Sequence, residues 1–244
     1  DGLREDLSGR ADEPEGRLTL GVIPAALTEA APLAARLRRR WPRVRFVVRS
    51  LSSARIAQEL ETFEIDAGLT YLDEAAVERG LTRPLYRERY RLLVHASHPL
   101  AEREAATWAE AAAHPLCALT PEMRNRRITD AAFAAAGVAA APEVESDSVI
   151  ALCAMVRTGG FCSALPERIC RLVTGEALRA IPLTSPEASQ RVGLLTLDRE
   201  PLPALVAGLM EAAEALAEPD AAIGADDGVI ETGDLNSRRG GVRM

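Results

Sequence analysis

The chain has 244 residues, a formal net charge of −7 from 29 basic and 36 acidic side chains, and 48% hydrophobic residues. That length carries one large domain or two small ones with a proper core, and the acidic balance argues against this piece gripping nucleic acid by itself. No apolar run reaches membrane-spanning length and no secretory signal opens the chain, so a cytoplasmic protein with no membrane partner is expected.

Every basic residue other than histidine is arginine, which reads as a base-composition bias and not as a mechanism. Cys117, Cys153, Cys162 and Cys170 make no C-x-x-C pair and have no histidine grouped at ligand spacing. Buried thiols are therefore expected, with no metal site and no cofactor.

In chain order, Leu3 and Leu7 among charges read as the last turns of an amphipathic helix that Gly9 ends, followed by a polar linker from Arg10 to Gly16. A helix entering in this way suggests a preceding segment. Leu18, Leu20 and Val22 then alternate with Thr19 and Gly21 as a strand that Pro24 stops. Leu33, Ala34, Leu37 and Trp41 recur at helical spacing, and Thr28 with Glu29 behind it is the expected N-cap. A strand running into a helix aims unpaired N–H groups into the crevice beyond the strand's carboxyl end. The amides of Ala25, Ala26 and Leu27 suit a small anion there.

Val44 to Leu51 reads as a second strand, with Ser52 and Ser53 as caps for the helical pattern Ile56, Leu60, Phe63. Ile65 to Tyr71 is a third strand, with Thr70 and Tyr71 at the same edge. Seven arginines from Arg36 to Arg49 lack aromatic interleaving and read as a solvated face partly paired with carboxylates.

Tyr90 to Val94 reads as a strand preceded by a turn or short strand, and His95 and His98 as structural loop histidines. Trp108 to Ala113 is a short helix and Leu116 to Leu119 a strand. A loop from Thr120 through Met123, Arg124 and Asn125 offers polar groups to an acidic ligand. A helix follows from about Arg126 to Ala136, stopped by Gly137 as a left-handed C-cap. Glu143 to Ser146 is a strand, and Ser146, Asp147 or Ser148 caps the helix Val149 to Thr158. Phe161 to Ala164 is a buried strand, Glu167 to Val173 a helix, Leu178 to Leu183 and Val192 to Thr196 strands, and Pro203 to Leu216 a closing helix.

The pattern is βαβαβ twice: an α/β fold of two doubly wound, Rossmann-like lobes around a central cleft. Residues 1–16 are the helix end and linker, 17–94 with 192–217 lobe I, 95–191 lobe II, and 218–244 a disordered tail without periodicity.

Residues 17 to about 216 resemble the effector-binding region of LysR-type transcriptional regulators. The resemblance rests on RLTLGVIP followed by LAARLRRRWPRVRF, then LETFEIDAGLT, LTRPLYRERYRLLVHASHPLA and MVRTGGFCSALP, in this order and spacing. Two residues depart from the family pattern. Phe63 stands where Gly is common before the "I-D" strand, which alters a helix C-cap. Phe161 stands where a second Gly is usual, which puts an aromatic ring near the cleft.

The resemblance implies a periplasmic-binding-protein type II-like fold and a cytoplasmic regulator that is not an enzyme. It further implies a helix-turn-helix domain, absent from this chain, that binds promoter DNA. A homodimer or tetramer is implied, pairing Ala30–Arg40 with the partner's Thr129–Ala136. The family's ligand sites map onto Ala25, Ala26 and Thr28; Ser52 and Ser53; Thr70 and Tyr71; Thr120 through Asn125; and Ser146. With Phe161, these are the candidate effector residues.

A small carboxylate or oxyanion is the expected effector, and TPEMRNRRI resembles regulators associated with formate metabolism. Peroxide-sensing members carry a reactive Cys in the loop that reads TPEMRNRR here, and this loop has none, so redox sensing is not carried over. A free-standing solute-binding protein of the same two-lobed build is the alternative. No G-x-S-x-G, no nucleophile beside a His and no phosphate-cradling Gly loop point to an enzyme.

Overall fold

The computed structural model describes residues 14–219. Of the helix-end and linker reading of residues 1–16 and the disordered reading of residues 218–244, residues 1–13 and 220–244 lie outside the described residues; Gly16 already belongs to the first strand, and the Glu218 amide donates to the Leu85 carbonyl at 2.8 Å, which corrects the tail reading there. The chain divides into two compact units. Within the described residues, the first comprises 14–87 and 190–219 and the second comprises 88–189.

In the first unit, β1 (Gly16–Val22) lies between β2 (Val44–Ser50) and β3 (Ala67–Tyr71), all parallel. Val22 stands opposite both Ser50 and Leu69, so β1 and β2 end level and β3 runs two residues further, through Thr70 and Tyr71. β1 and β3 are buried on both faces, as central parallel strands are. The edge strand β2 alternates between half-buried and exposed.

Helix α1 (Leu27–Arg40) buries Ala30, Leu33 and Leu37. It does not begin on a Thr28 cap. A 3-10 turn, Pro24–Ala26, runs directly into it, and Ala26 occupies the cap position without a side-chain bond. Pro24 presets the turn's φ. Thr28 is therefore already helical, and its hydroxyl donates to Glu29 Oε1 at 3.2 Å.

Helix α2 (Ser53–Glu61) is capped as expected by Ser52, whose Oγ accepts from the Arg55 amide at 3.3 Å. Its far end is a Schellman closure. The Glu64 amide reaches the Glu59 carbonyl (2.9 Å) and the Phe63 amide reaches the Leu60 carbonyl (3.2 Å). Phe63 takes the left-handed position at φ 59°, the C-cap departure expected where a Gly is usual.

Short helix α3 (Glu74–Arg79), not expected from the sequence, is capped by Asp73, whose carboxylate accepts from the Ala76 amide at 2.8 Å. β10 (Ser189–Thr196) then pairs antiparallel with β3, Leu194 facing Leu69. The start of β4 (Leu81–His95) lies beside β10. Of the turn or short strand expected before Tyr90, the strand is what forms, and it is continuous with the next, making β4 one strand of 15 residues. Opposite it, a Cβ on Gly193 would stand 2.2 Å from the Arg83 carbonyl oxygen and 2.8 Å from Pro84 Cα. The glycine lets the proline-bearing backbone pass that close without leaving the sheet. Helix α8 (Ala204–Glu214) closes the unit over the Trp41 ring.

In the second unit, the end of β4 pairs antiparallel with β8 (Ser163–Pro166) and β9 (Leu178–Thr184). The two-residue β5 (Ala106–Thr107) joins β9, and β6 (Cys117–Leu119) pairs parallel with β7 (Val144–Ser146). β8 begins at Ser163, two residues later than expected, and ends in Pro166. Helix α4 (Trp108–Ala112) starts on a capping box of Thr107 and Glu110.

Helix α5 (Arg124–Ala135) takes in Arg124 and Asn125, which the sequence pattern leaves in a loop. It ends in a second Schellman closure around Gly137 at φ 75°. Helices α6 (Val149–Arg157) and α7 (Glu167–Val173) pack on the core of Leu93, Leu119, Leu152, Val156, Leu165 and Leu178. Trp108 is buried edge-on to Phe133 at 5.0 Å, and its indole N–H donates to the Pro186 carbonyl at 2.9 Å.

Candidate functional site

The parallel exits of β1, β2 and β3 bring the expected strand-end residues of the first unit to one edge. The Ile23 amide donates to the Leu69 carbonyl (3.0 Å) and the Leu51 amide to the Val22 carbonyl (2.9 Å), tying the three exits together. The Thr70 hydroxyl, 3% exposed, donates to Ser53 Oγ at 3.2 Å, so two candidates are in direct contact.

Ala25 and Ala26 have buried methyls. The expectation of three open amides is corrected here. The Ala26 amide donates to the Ile23 carbonyl at 2.9 Å, because a 3-10 turn closes on its third residue. Tyr71 is packed inside at 3% exposure.

In the second unit, Leu119 stands opposite Ser146, and the Thr120 amide donates to the Ser146 carbonyl at 3.2 Å, joining those two candidates. The Met123 amide donates to the Thr120 carbonyl at 3.0 Å, folding the chain into α5. Met123 holds the cap position without a side-chain bond, and the first turn carries no acid. The positive end of the helix dipole is thus reinforced by Arg124, which is half-buried.

Asn125, 6% exposed, donates to the Tyr90 hydroxyl at 3.3 Å. Ser146 Oγ accepts from the Ser148 amide at 3.1 Å, and Ser148 is the residue that caps α6, accepting from Ala151 at 3.3 Å. Phe161 is half-buried and packs against the apolar core of this unit.

One residue at this edge escaped the sequence reading. Arg126 donates to the Leu119 carbonyl (2.8 Å), Glu145 (2.6 Å) and Asp130 (2.7 Å), locking α5 to the ends of β6 and β7. Burial alone would lower its pKa, but the bonds from Glu145 and Asp130 raise it. The Arg126–Asp130 spacing of four was the readable signal. Glu122 has its carboxyl held below the usual range, chiefly by the Thr120 hydroxyl.

The four thiols are all buried. Desolvation pushes Cys117 up to about 11 and Cys162 up to about 12, and it raises Cys153 and Cys170 as well. They stay protonated at neutral pH and offer no thiolate to an oxidant. His95 Nδ1 lies 2.7 Å from Ser97 Oγ, and His98 Nδ1 accepts from the Leu100 amide at 3.1 Å. Among the described residues no group of His, Cys, Asp or Glu is placed to hold a metal ion. No described helix is long and apolar enough to cross a membrane.

Two α/β units whose strands end in polar turns define a two-lobed, ligand-sensing fold of the periplasmic-binding-protein type II kind. Residues 11–217 match the LysR substrate binding domain, and the chain belongs to that family. It is the effector-binding domain of a LysR-type transcriptional regulator, a regulatory module and not an enzyme.

Solved structures share the fold. The reduced form of OxyR is similar at a TM-score of 0.68 and 23% identity, over 84% of this chain and 98% of that one. A LysR family regulator from Pseudomonas aeruginosa gives 0.69 and 20%, over 88% and 75%. The effector binding domain of QuiR in complex with shikimate gives 0.72 and 16%, over 83% and 97%.

Proposed function

We propose that the effector is a small anion, a carboxylate or an oxyanion of formate-like size, met by strand-end groups. In the first unit these are Ala25, Thr28, Ser52, Ser53, Thr70 and Tyr71. In the second they are Thr120, Met123, Arg124, Asn125 and Ser146. The observation that carries this reading is the pairing of Thr70 with Ser53 where three parallel strands exit at one edge. The acid-free start of α5 beside Arg124 supports a negative ligand.

Binding in the range of about 1 μM to 1 mM, about 4–8 kcal/mol, suffices. Of that, a difference of about 1–3 kcal/mol between two arrangements of the domain would couple it to a helix-turn-helix domain and promoter DNA. The regulator acts in the cytoplasm as a homodimer or tetramer.

The test is a thermal-shift panel of formate, acetate, larger carboxylates and inorganic oxyanions. Stabilisation by at least one anion is expected, weakened in Thr70→Val and Thr120→Val while both variants keep the parent's melting transition without ligand. Stabilisation by neutral or aromatic compounds alone would overturn the anion reading, and unchanged affinity in both variants would remove the strand-end site.

A further inference from the structure

Away from the strand ends, the second unit has a cavity of about 350 Å³, lined by Arg91, Glu167, Cys170, Arg171, Thr174, Gly175, Leu178, Arg179 and Ala180. That is within the size range of small-molecule sites. Its walls are the side of β4 at Arg91, helix α7 and the start of β9. Its lining carries three arginines against one glutamate, in a chain whose formal charge is −7.

How the charges are engaged decides what the cavity fits. Arg91 and Arg171 both donate to the same oxygen of Glu167, Oε1, at 2.9 and 2.8 Å. Burial would raise the Glu167 carboxyl, but the two guanidinium bonds outweigh it and hold it low, so this anion stays in place at neutral pH. One negative charge is therefore shared by two cations.

Arg179 has no carboxylate partner among the described residues. Its Nη1 faces the carbonyls of Gly175, Glu176 (3.3 Å) and Leu178 (3.2 Å). Those carbonyls would otherwise repel an anion, and the guanidinium covers them. Guanidinium forks match carboxylate and phosphate oxygens in pairs. The buried Cys170 and Leu178 give the cavity an apolar floor for the rest of a ligand.

We propose that this cavity is a second ligand site, for a small organic dianion carrying either a phosphate monoester or two carboxylates, held by Arg171 and Arg179. The site lies wholly within one unit and is independent of the strand-end reading.

Calorimetric titration with glycerol 3-phosphate, succinate and acetate tests it. One of the two dianions is expected to bind, and the binding that Arg179→Glu removes is expected to be at least about tenfold weaker for acetate, with affinity falling as salt rises. Which dianion binds distinguishes the two sources of the charge. Arg171→Ala/Arg179→Ala is expected to weaken binding at least about tenfold while Thr70→Val and Thr120→Val leave it unchanged. Arg179→Glu, an exposed charge reversal, gives the same loss even where the double variant melts early.

Absence of binding by both dianions would overturn the proposal. So would affinity indifferent to Arg179→Glu, or binding lost in the strand-end variants.

Discussion

Phe63 and Gly137 hold equivalent places in two helix closures of the same kind, at φ 59° and 75°. A side chain in that region costs about 1–2 kcal/mol. At Phe63 part of this is returned by Arg199, whose guanidinium carbon lies 3.8 Å from the ring centroid, a contact worth about 0.5–1 kcal/mol at the surface. Phe63→Gly removes both the strain and the stacking and is expected to stabilise by a few tenths to about 1 kcal/mol. Phe63→Ala keeps the strain and loses the ring, so it is expected to destabilise by about 0.5–1 kcal/mol. Urea midpoints that fell in the same direction for both variants would refute the strained-cap account.

At the scale of elements, α8 meets the Trp41 ring through the absence of a side chain. A Cβ on Gly208 would stand 2.0 Å from the ring's outer carbon. Gly208→Ala gains about 1 kcal/mol of helix propensity, yet overpacking costs about 1–3 kcal/mol. A net loss of stability in chemical denaturation is expected. Thr107→Ala, which opens the capping box of α4, is expected to cost about 1 kcal/mol by the same measurement.

Elements whose signal is local were legible in the sequence. These include the Ser52 cap, the Gly137 closure and the apolar stripe Leu33–Leu37. What depends on a distant partner was not. That the strand through Tyr90 reaches back past Pro84 depends on Gly193 across from it, and Thr28 looked like a cap because nothing in the sequence announces the 3-10 turn before it. The strand-end residues were legible as types, since Ser and Thr at such exits follow from capping chemistry. That Arg126 would be tied to Leu119 and Glu145 while Arg124 begins the helix depends on where α5 starts, which the sequence pattern put two residues late.

For the whole molecule, acid sensitivity enters through His98. Burial, and then the charge of His114 beside it at 4.5 Å between ring centroids, lowers its pKa below the ordinary 6.5. A folded-state pKa that is depressed means the unfolded chain takes up the proton first. The contribution is therefore fully present above about pH 6.5 and lost as pH falls through the folded value. Comparing urea midpoints at about pH 7.5 and about pH 5.5, the parent is expected to lose more stability than His98→Asn, which keeps an acceptor for the Leu100 amide. Equal losses would exclude His98 as the source.

The first unit is interrupted: it comprises the described residues up to 87, yields to the second unit, and resumes at 190. During synthesis the inserted unit has therefore been made entire before the strand that flanks β3. Until Ser189–Thr196 and Ala204–Glu214 emerge, β3 has an open edge and Trp41 has no cover, so the unit begun first of the two is completed last. Release of a chain cut short after residue 189 would leave a finished inserted unit attached to a fragment still exposing a hydrophobic strand, a target for chaperones and proteases.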